Sequence, residues 1–238
     1  MSHNINIHTS GEASLMLVKE KAWHGLGQVV PEKVNSAEAI KLAHLDWKVE
    51  KQPILTATTK QEIPDKFCTY RTDTNDLFGV VGKIYEPLQN SDAFTFFDSI
   101  VGEGEAIYET AGALDNGRIV FITAKMPDFI KVKDDEIEKY LFLTNSHDGS
   151  SSLMCAFTPV RIVCNNTLNM AIKQASNVIK LRHTESIVDR LEQAHKLMGI
   201  ANKYMTEVED IFNKMAKIRV GEATLKQLIT RVVLPKKE

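Results

Sequence analysis

The residues with the clearest chemical potential are Asn145-Ser146-His147-Asp148-Gly149. A histidine titrates near neutrality, and beside a carboxylate it has the makings of a general base for hydrolysis. Adjacent side chains on an extended strand point to opposite faces, however, which argues against a direct His147–Asp148 relay. Asn, Asp and Gly also favour turns. The pentapeptide therefore reads as a turn, and no catalytic residue is assigned.

Beyond this turn the charge pattern changes. From Gly149 to Thr184 the chain carries no aspartate or glutamate, while Arg161, Lys173, Lys180 and Arg182 fall inside the window and His183 at its edge. The formal net charge of the whole chain is −2, which argues against a wholesale polyelectrolyte binder. An anion-binding surface must then come from local segregation of charge. The window admits two readings. In one, the four bases face nucleic-acid phosphates, with Lys125, Lys131 and Lys133 extending the track. In the other, Leu153–Phe157 and Val160–Cys164 are core strands that exclude acids anyway. Phe157 is the only aromatic residue in the window. Stacking platforms for bases would then fall to Tyr108, Phe121 or Tyr140.

Other constellations point to ordinary structure. His24, His44, His147, His183 and His195 lack the HxxxH, HxH or CxxC context of metal ligands, so no metal or other cofactor is expected. The three cysteines, Cys68, Cys155 and Cys164, offer no CxxC pair and read as reduced thiols. Cys164 precedes a helix start but has no identifiable base, which favours a small buried hydrophobe. Gly102-Glu103-Gly104-Glu105 lacks a lysine and carries two acids, unlike a phosphate-cradling loop. Trp23-His24-Gly25-Leu26-Gly27 reads as a turn anchored by Trp23.

The elements that position these groups form an α+β pattern. Hydrophobic residues make up 43% of 238, enough for a core without staples. Asn35 and Glu38 have capping-box spacing ahead of a helix over 36–44. Strands are expected at 47–50, 54–58, 67–71 and 77–81. Asn90 or Ser91 caps a helix with Phe94, Phe97, Ile100 and Val101 on one stripe, ended by Gly102. A hairpin follows, turning at Asn116-Gly117, with one core face and one platform face. A second hairpin pairs 129–132 with 137–144. Strands at 153–158 and 160–163 precede a helix capped by Asn165 or Asn166.

From Ile187 to Met215, apolar residues recur at alternating spacings of four and three, a heptad-type seam suited to a helix pair or a homo-oligomer. A short helix is expected over 222–232. The domain reading is a flexible N-terminus (1–20), an α+β body (21–184) built on a mainly antiparallel sheet of hairpins with packed helices, and a C-terminal helical arm (185–238). Neither a secretory signal nor a membrane-spanning stretch is evident. A cytoplasmic location is expected.

Several segments together carry a family resemblance: Trp23–Gly27, Leu45-Asp46-Trp47, Val81–Asn90, Phe97-Asp98, Glu109–Arg118 and Val160–Leu168. The chain resembles the phage- and plasmid-related proteins of domain-of-unknown-function family 932, over roughly residues 20 to 215. The resemblance implies a mobile-element origin and brings no catalytic residues. The order of helix, hairpin, strands and helix is also similar to that of phage single-strand annealing proteins. The expected function is single-stranded DNA binding, with annealing or recombination and no catalytic chemistry. The alternative is an interaction or counter-defence factor, which would use the acidic 83–115 region and the arm to bind a host or phage protein.

Overall fold

Strand after strand of apolar residues must bury side chains on both faces, and this organises the molecule. A computed structural model describes residues 3–31, 34–101, 107–132, 134–175, 178–184, 210–218 and a few positions up to 227. In chain order its elements begin with β1 (Leu15–Val18), β2 (Gln28–Val30), α1 (Ser36–Leu42), β3 (Val49–Leu55), β4 (Glu62–Arg71) and β5 (Leu77–Gly82). They continue with α2 (Asn90–Val101), β6 (Ile107–Leu114), β7 (Ile119–Val132), β8 (Asp135–Ser146), β9 (Leu153–Thr158), α3 (Asn165–Gln174) and β10 (Ile179–Leu181). The fold is α+β. Seven strands form one sheet in the order β10-β9-β8-β7-β6-β1-β2, antiparallel except for the parallel β1–β2 pair. Strands β3-β4-β5 make a separate antiparallel sheet.

Alternation sorts the large sheet into two faces. Met16, Val120, Ile122, Leu141 and Leu143 meet Ala39 of α1 and Phe94 and Phe97 of α2. Leu15, Leu17, Phe121 and Phe142 meet Leu168 and Ala171 of α3. Burying each larger side chain contributes roughly 1.5–3 kcal/mol. Both faces of the central strands are therefore core, and the expected open platform on β7 does not exist.

Local signals explain the helix starts. Asn35 Oδ1 accepts the Glu38 amide at 2.9 Å, and Glu38 Oε2 accepts the Asn35 amide at 3.0 Å, completing the capping box. Helix α1 ends before His44, which lies in the left-handed region at φ 52°. Helix α3 is capped one residue earlier than expected. Thr167 Oγ1 accepts the Cys164 amide at 3.0 Å, and Asn165 is already helical.

Four other expectations are corrected. Residues 1–20 contain β1, whose Leu15, Met16 and Leu17 are fully buried between β2 and β6, so this segment is not a loose leader. Residues 160–163 are not a strand. The turn between β6 and β7 is not a two-residue primed turn, because Asp115, Asn116 and Gly117 all take positive φ in a short 3-10 turn. Trp23 is 71% exposed and anchors nothing in the core. Its neighbour makes the tie instead, through His24 Nε2 and the Val163 carbonyl at 3.0 Å. Lys133, His195, the Gly102–Glu105 segment, and most of the heptad seam and arm lie outside the described residues.

Candidate functional site

The bases expected on the phosphate track divide into two groups. Arg161 is half-buried and internally engaged. Its Nε donates to Glu109 at 2.7 Å, and a terminal nitrogen donates to the Val18 and Glu20 carbonyls at 3.2 and 3.0 Å. It ties the chain after β9 to the end of β1. Burial pushes the Glu109 carboxyl up, and the Arg161 charge opposes that shift. Lys125 bonds Glu138, which also accepts the Tyr140 hydroxyl. These two donors hold the Glu138 carboxyl below the ordinary range. Arg161 and Lys125 are thus occupied by the chain's own carboxylates. Tyr108, Phe121 and Tyr140 are 7%, 0% and 3% exposed, so none of them is a stacking platform.

Lys173, Lys180, Arg182 and Lys131 are exposed. Among the described residues, no carboxylate forms an ion pair with any of them. Lys180 lies on β10, an edge strand of the large sheet, and Arg182 follows it directly. Leu181 between them is buried. Alternation therefore turns Lys180 and Arg182 away from the α1–α2 core. Lys173 stands in the last turn of α3, beside a surface depression it shares with Asn166, Asn169, Met170 and Gln174.

A cleft of about 300 Å³ opens where the two sheets meet. Ile84 and Tyr85 form one wall, Gly149 to Ser152 another, and Arg182 to Thr184 a third. Among the described residues its lining contains no aspartate or glutamate. Close backbone approach builds it. A Cβ on Gly79 would sit 2.3 Å from the Asp148 carbonyl oxygen, so glycine is required for β5 to meet the β8–β9 loop. Gly149, at φ +78°, lies against Val81. The loop is further tied internally. Ser146 Oγ accepts the Ser151 amide and donates to the Ser151 carbonyl, both at 2.9 Å. Asp148 Oδ1 accepts the Ser150 amide at 2.9 Å.

Two histidine–asparagine pairs lie in this region, and His183 of one of them lines the cleft. Asn90 Nδ2 donates to the Leu45 carbonyl at 2.9 Å, which leaves Oδ1 to accept from His147 Nε2 at 2.9 Å. His147 is thereby fixed as the Nε2–H tautomer. Its Nδ1 is buried without a partner among the described residues. Asn145 repeats the arrangement, with Oδ1 accepting from His183 Nε2 at 2.8 Å. Trp47 meets the His147 ring edge-on and Phe78 stacks on it. Burial, with the nearby His183 and Arg71, drives the His147 pKa down to about 3. The ring is neutral and closed to solvent, so it is a core histidine. Asp148 is not its relay partner. The turn expected at this segment is present.

Arg71 packs on the far side of this cluster, against Trp47. It is 2% exposed, makes a two-point bond to Asp73 at 2.8 and 2.7 Å, and stacks over Trp47 at 4.5 Å. Cys155 and Cys164 are buried, Cys68 is half-buried, and all three are free. Burial pushes the Cys155 thiol up to about 12. Among the described residues, no three His, Cys, Asp or Glu side chains converge as metal ligands.

The model of the family described as Domain of unknown function (DUF932) matches residues 77–238. The chain belongs to this family. No curated protein and no solved structure matches it. The DUF932 segment contains Ile84, Tyr85, the β8–β9 loop, Arg182 and both histidines, so every wall of the cleft is family territory. No described helix is long and apolar enough to cross a membrane. Tyr85, Asn90, Asn145 and Ser150–Ser152 are absent from the sequence-derived site. The local signals for them were the Asn145–Gly149 pentapeptide with its polar continuation to Ser152, and the family segment Val81–Asn90.

Proposed function

We propose that this DUF932 member binds single-stranded DNA as a mobile-element protein and promotes annealing or recombination without catalytic chemistry. The observation that carries this reading is the exposed set Lys173, Lys180 and Arg182, on and beside the edge of the large sheet, in a stretch without acids. Guanidinium and ammonium groups that meet no carboxylate among the described residues attract phosphates without reading sequence. Lys131 and Lys133 extend the track, while Arg161 and Lys125 serve the fold. Trp23, exposed and next to His24, whose ring bonds the Val163 carbonyl just ahead of α3, is the better candidate for base stacking. The 185–238 segment acts in this reading as a helical arm whose 187–215 seam joins copies of the chain in the cytoplasm.

The test is binding of oligothymidylate across a salt series. Each phosphate contact contributes about 0.7 to the logarithmic salt slope for single strands. Replacing Lys173, Lys180 and Arg182 together by Gln should reduce that slope by about 2. An unchanged slope and affinity would remove the surface. A second reading, docking of a host or phage protein, is favoured by Leu77, Val80 and Ile84, which are 60%, 64% and 79% exposed along and just after β5. Capture of a partner that is lost in Val80→Asp, with no oligonucleotide binding, would select it.

A further inference from the structure

We propose that the cleft between β5 and the β8–β9 loop binds a nucleoside monophosphate unit, either free or as the phosphorylated end of a DNA strand; the strand-end form rests on the reading above. The volume of about 300 Å³ lies at the small end of ligand pockets and suits one such unit. The walls differ in chemistry as the two halves of a nucleotide do. Ile84 and Tyr85 supply an apolar and aromatic side for a base. Ser150, Ser152, Arg182 and Thr184 supply hydroxyls and a guanidinium for a phosphate.

The aromatic wall is pre-set. The Tyr85 hydroxyl donates to the Ser146 carbonyl at 3.3 Å, and His183 meets the ring edge-on at 4.7 Å between centroids. A held ring loses little freedom when a base stacks on it. The polar wall is pre-set as well, because Ser146 and Asp148 bond the loop from within. Asp148 does not line the cleft and its Oδ1 accepts the Ser150 amide, so Arg182 is the charged side chain among the described lining residues; burial, with the nearby Asp148 charge, pushes the Tyr85 hydroxyl up and keeps it protonated. A dianionic phosphomonoester is favoured over the monoanionic phosphodiester inside a strand. The cleft therefore selects ends or free mononucleotides.

The experiment uses the full chain and fluorescently labelled oligothymidylate with a 5′-phosphate, a 3′-phosphate or hydroxyl ends, beside unlabelled thymidine monophosphate as competitor. The expected result is about tenfold tighter binding of one phosphorylated form over the hydroxyl form, as for one charge-assisted contact. That preference disappears in Arg182→Gln, an exposed position whose replacement leaves the fold intact by circular dichroism. Lys173→Gln should weaken all three oligonucleotides equally. Direct binding of the mononucleotide that depends on Arg182, with no oligonucleotide bound, would support the cleft as a free-nucleotide site and end the strand-binding reading. Oligonucleotide binding with no end preference and no mononucleotide competition would overturn the cleft proposal and leave strand binding standing. A preference that survives Arg182→Gln would overturn it too.

Discussion

His147→Gln separates the cost of keeping an imidazole neutral in the core from every other acid effect in the molecule. In the unfolded chain a histidine takes up a proton near pH 6.5. In the folded chain His147 does so only at about 3, because burial disfavours the charged ring. Between those values the unfolded state binds the extra proton, so stability falls as pH falls. The slope is about 1.4 kcal/mol per pH unit once pH is well below 6.5. From pH 7.5 to 5.0 the loss through this one group is about 2 kcal/mol. Glutamine keeps an amide donor for Asn90 Oδ1 but does not ionise. The variant should be less stable at pH 7.5, with the gap closing by about 2 kcal/mol at pH 5.0. Urea unfolding of both proteins at the two pH values measures this. The carboxylates whose pKa values are displaced, Asp73, Asp98, Glu109 and Glu138, are common to both proteins and cancel. A gap that stays constant, or widens toward acid, would refute the neutral buried tautomer.

Two further outcomes test the joints around the cleft and the fate of the engaged arginine. Gly79→Ala places a methyl group 2.3 Å from the Asp148 carbonyl oxygen and should cost roughly 1–3 kcal/mol in chemical unfolding, whereas Gly82→Ala meets no atom within 4 Å and should change stability by less than about 0.5 kcal/mol. Arg161→Met strands the largely buried Glu109 and should cost about 3 kcal/mol, much of it recovered by adding Glu109→Gln. An Arg161→Met protein of unchanged stability would return that side chain to the phosphate track.

Long periodic elements were legible in the sequence. The Phe94 and Phe97 stripe, the Asn35–Glu38 box and the strands on either side of Asn116-Gly117 depend on neighbours a few residues away. Strand β1 was not legible, since four apolar residues in a polar leader gain their meaning only from β2 and β6. Strand β10 is three residues long and carries too little alternation to be seen. The fate of Arg161 was hidden for a different reason. Its carboxylate partner is 52 residues away, and a window without local acids says nothing about acids brought in by folding. The cleft combines the end of β5, the β8–β9 loop and the chain after β10, so no stretch of sequence contains it.

The placement of β1 bears on how the protein can be divided. The family segment starts at residue 77, yet β6 within it pairs with Leu15, Met16 and Leu17 from far upstream. A fragment cut at that boundary would present β6 as a raw edge, with unpaired amides and a bare apolar flank inviting another chain to add a strand. Strand β1 covers that edge in the whole chain, and any expression of the family segment alone should yield a sticky product rather than a smaller working domain.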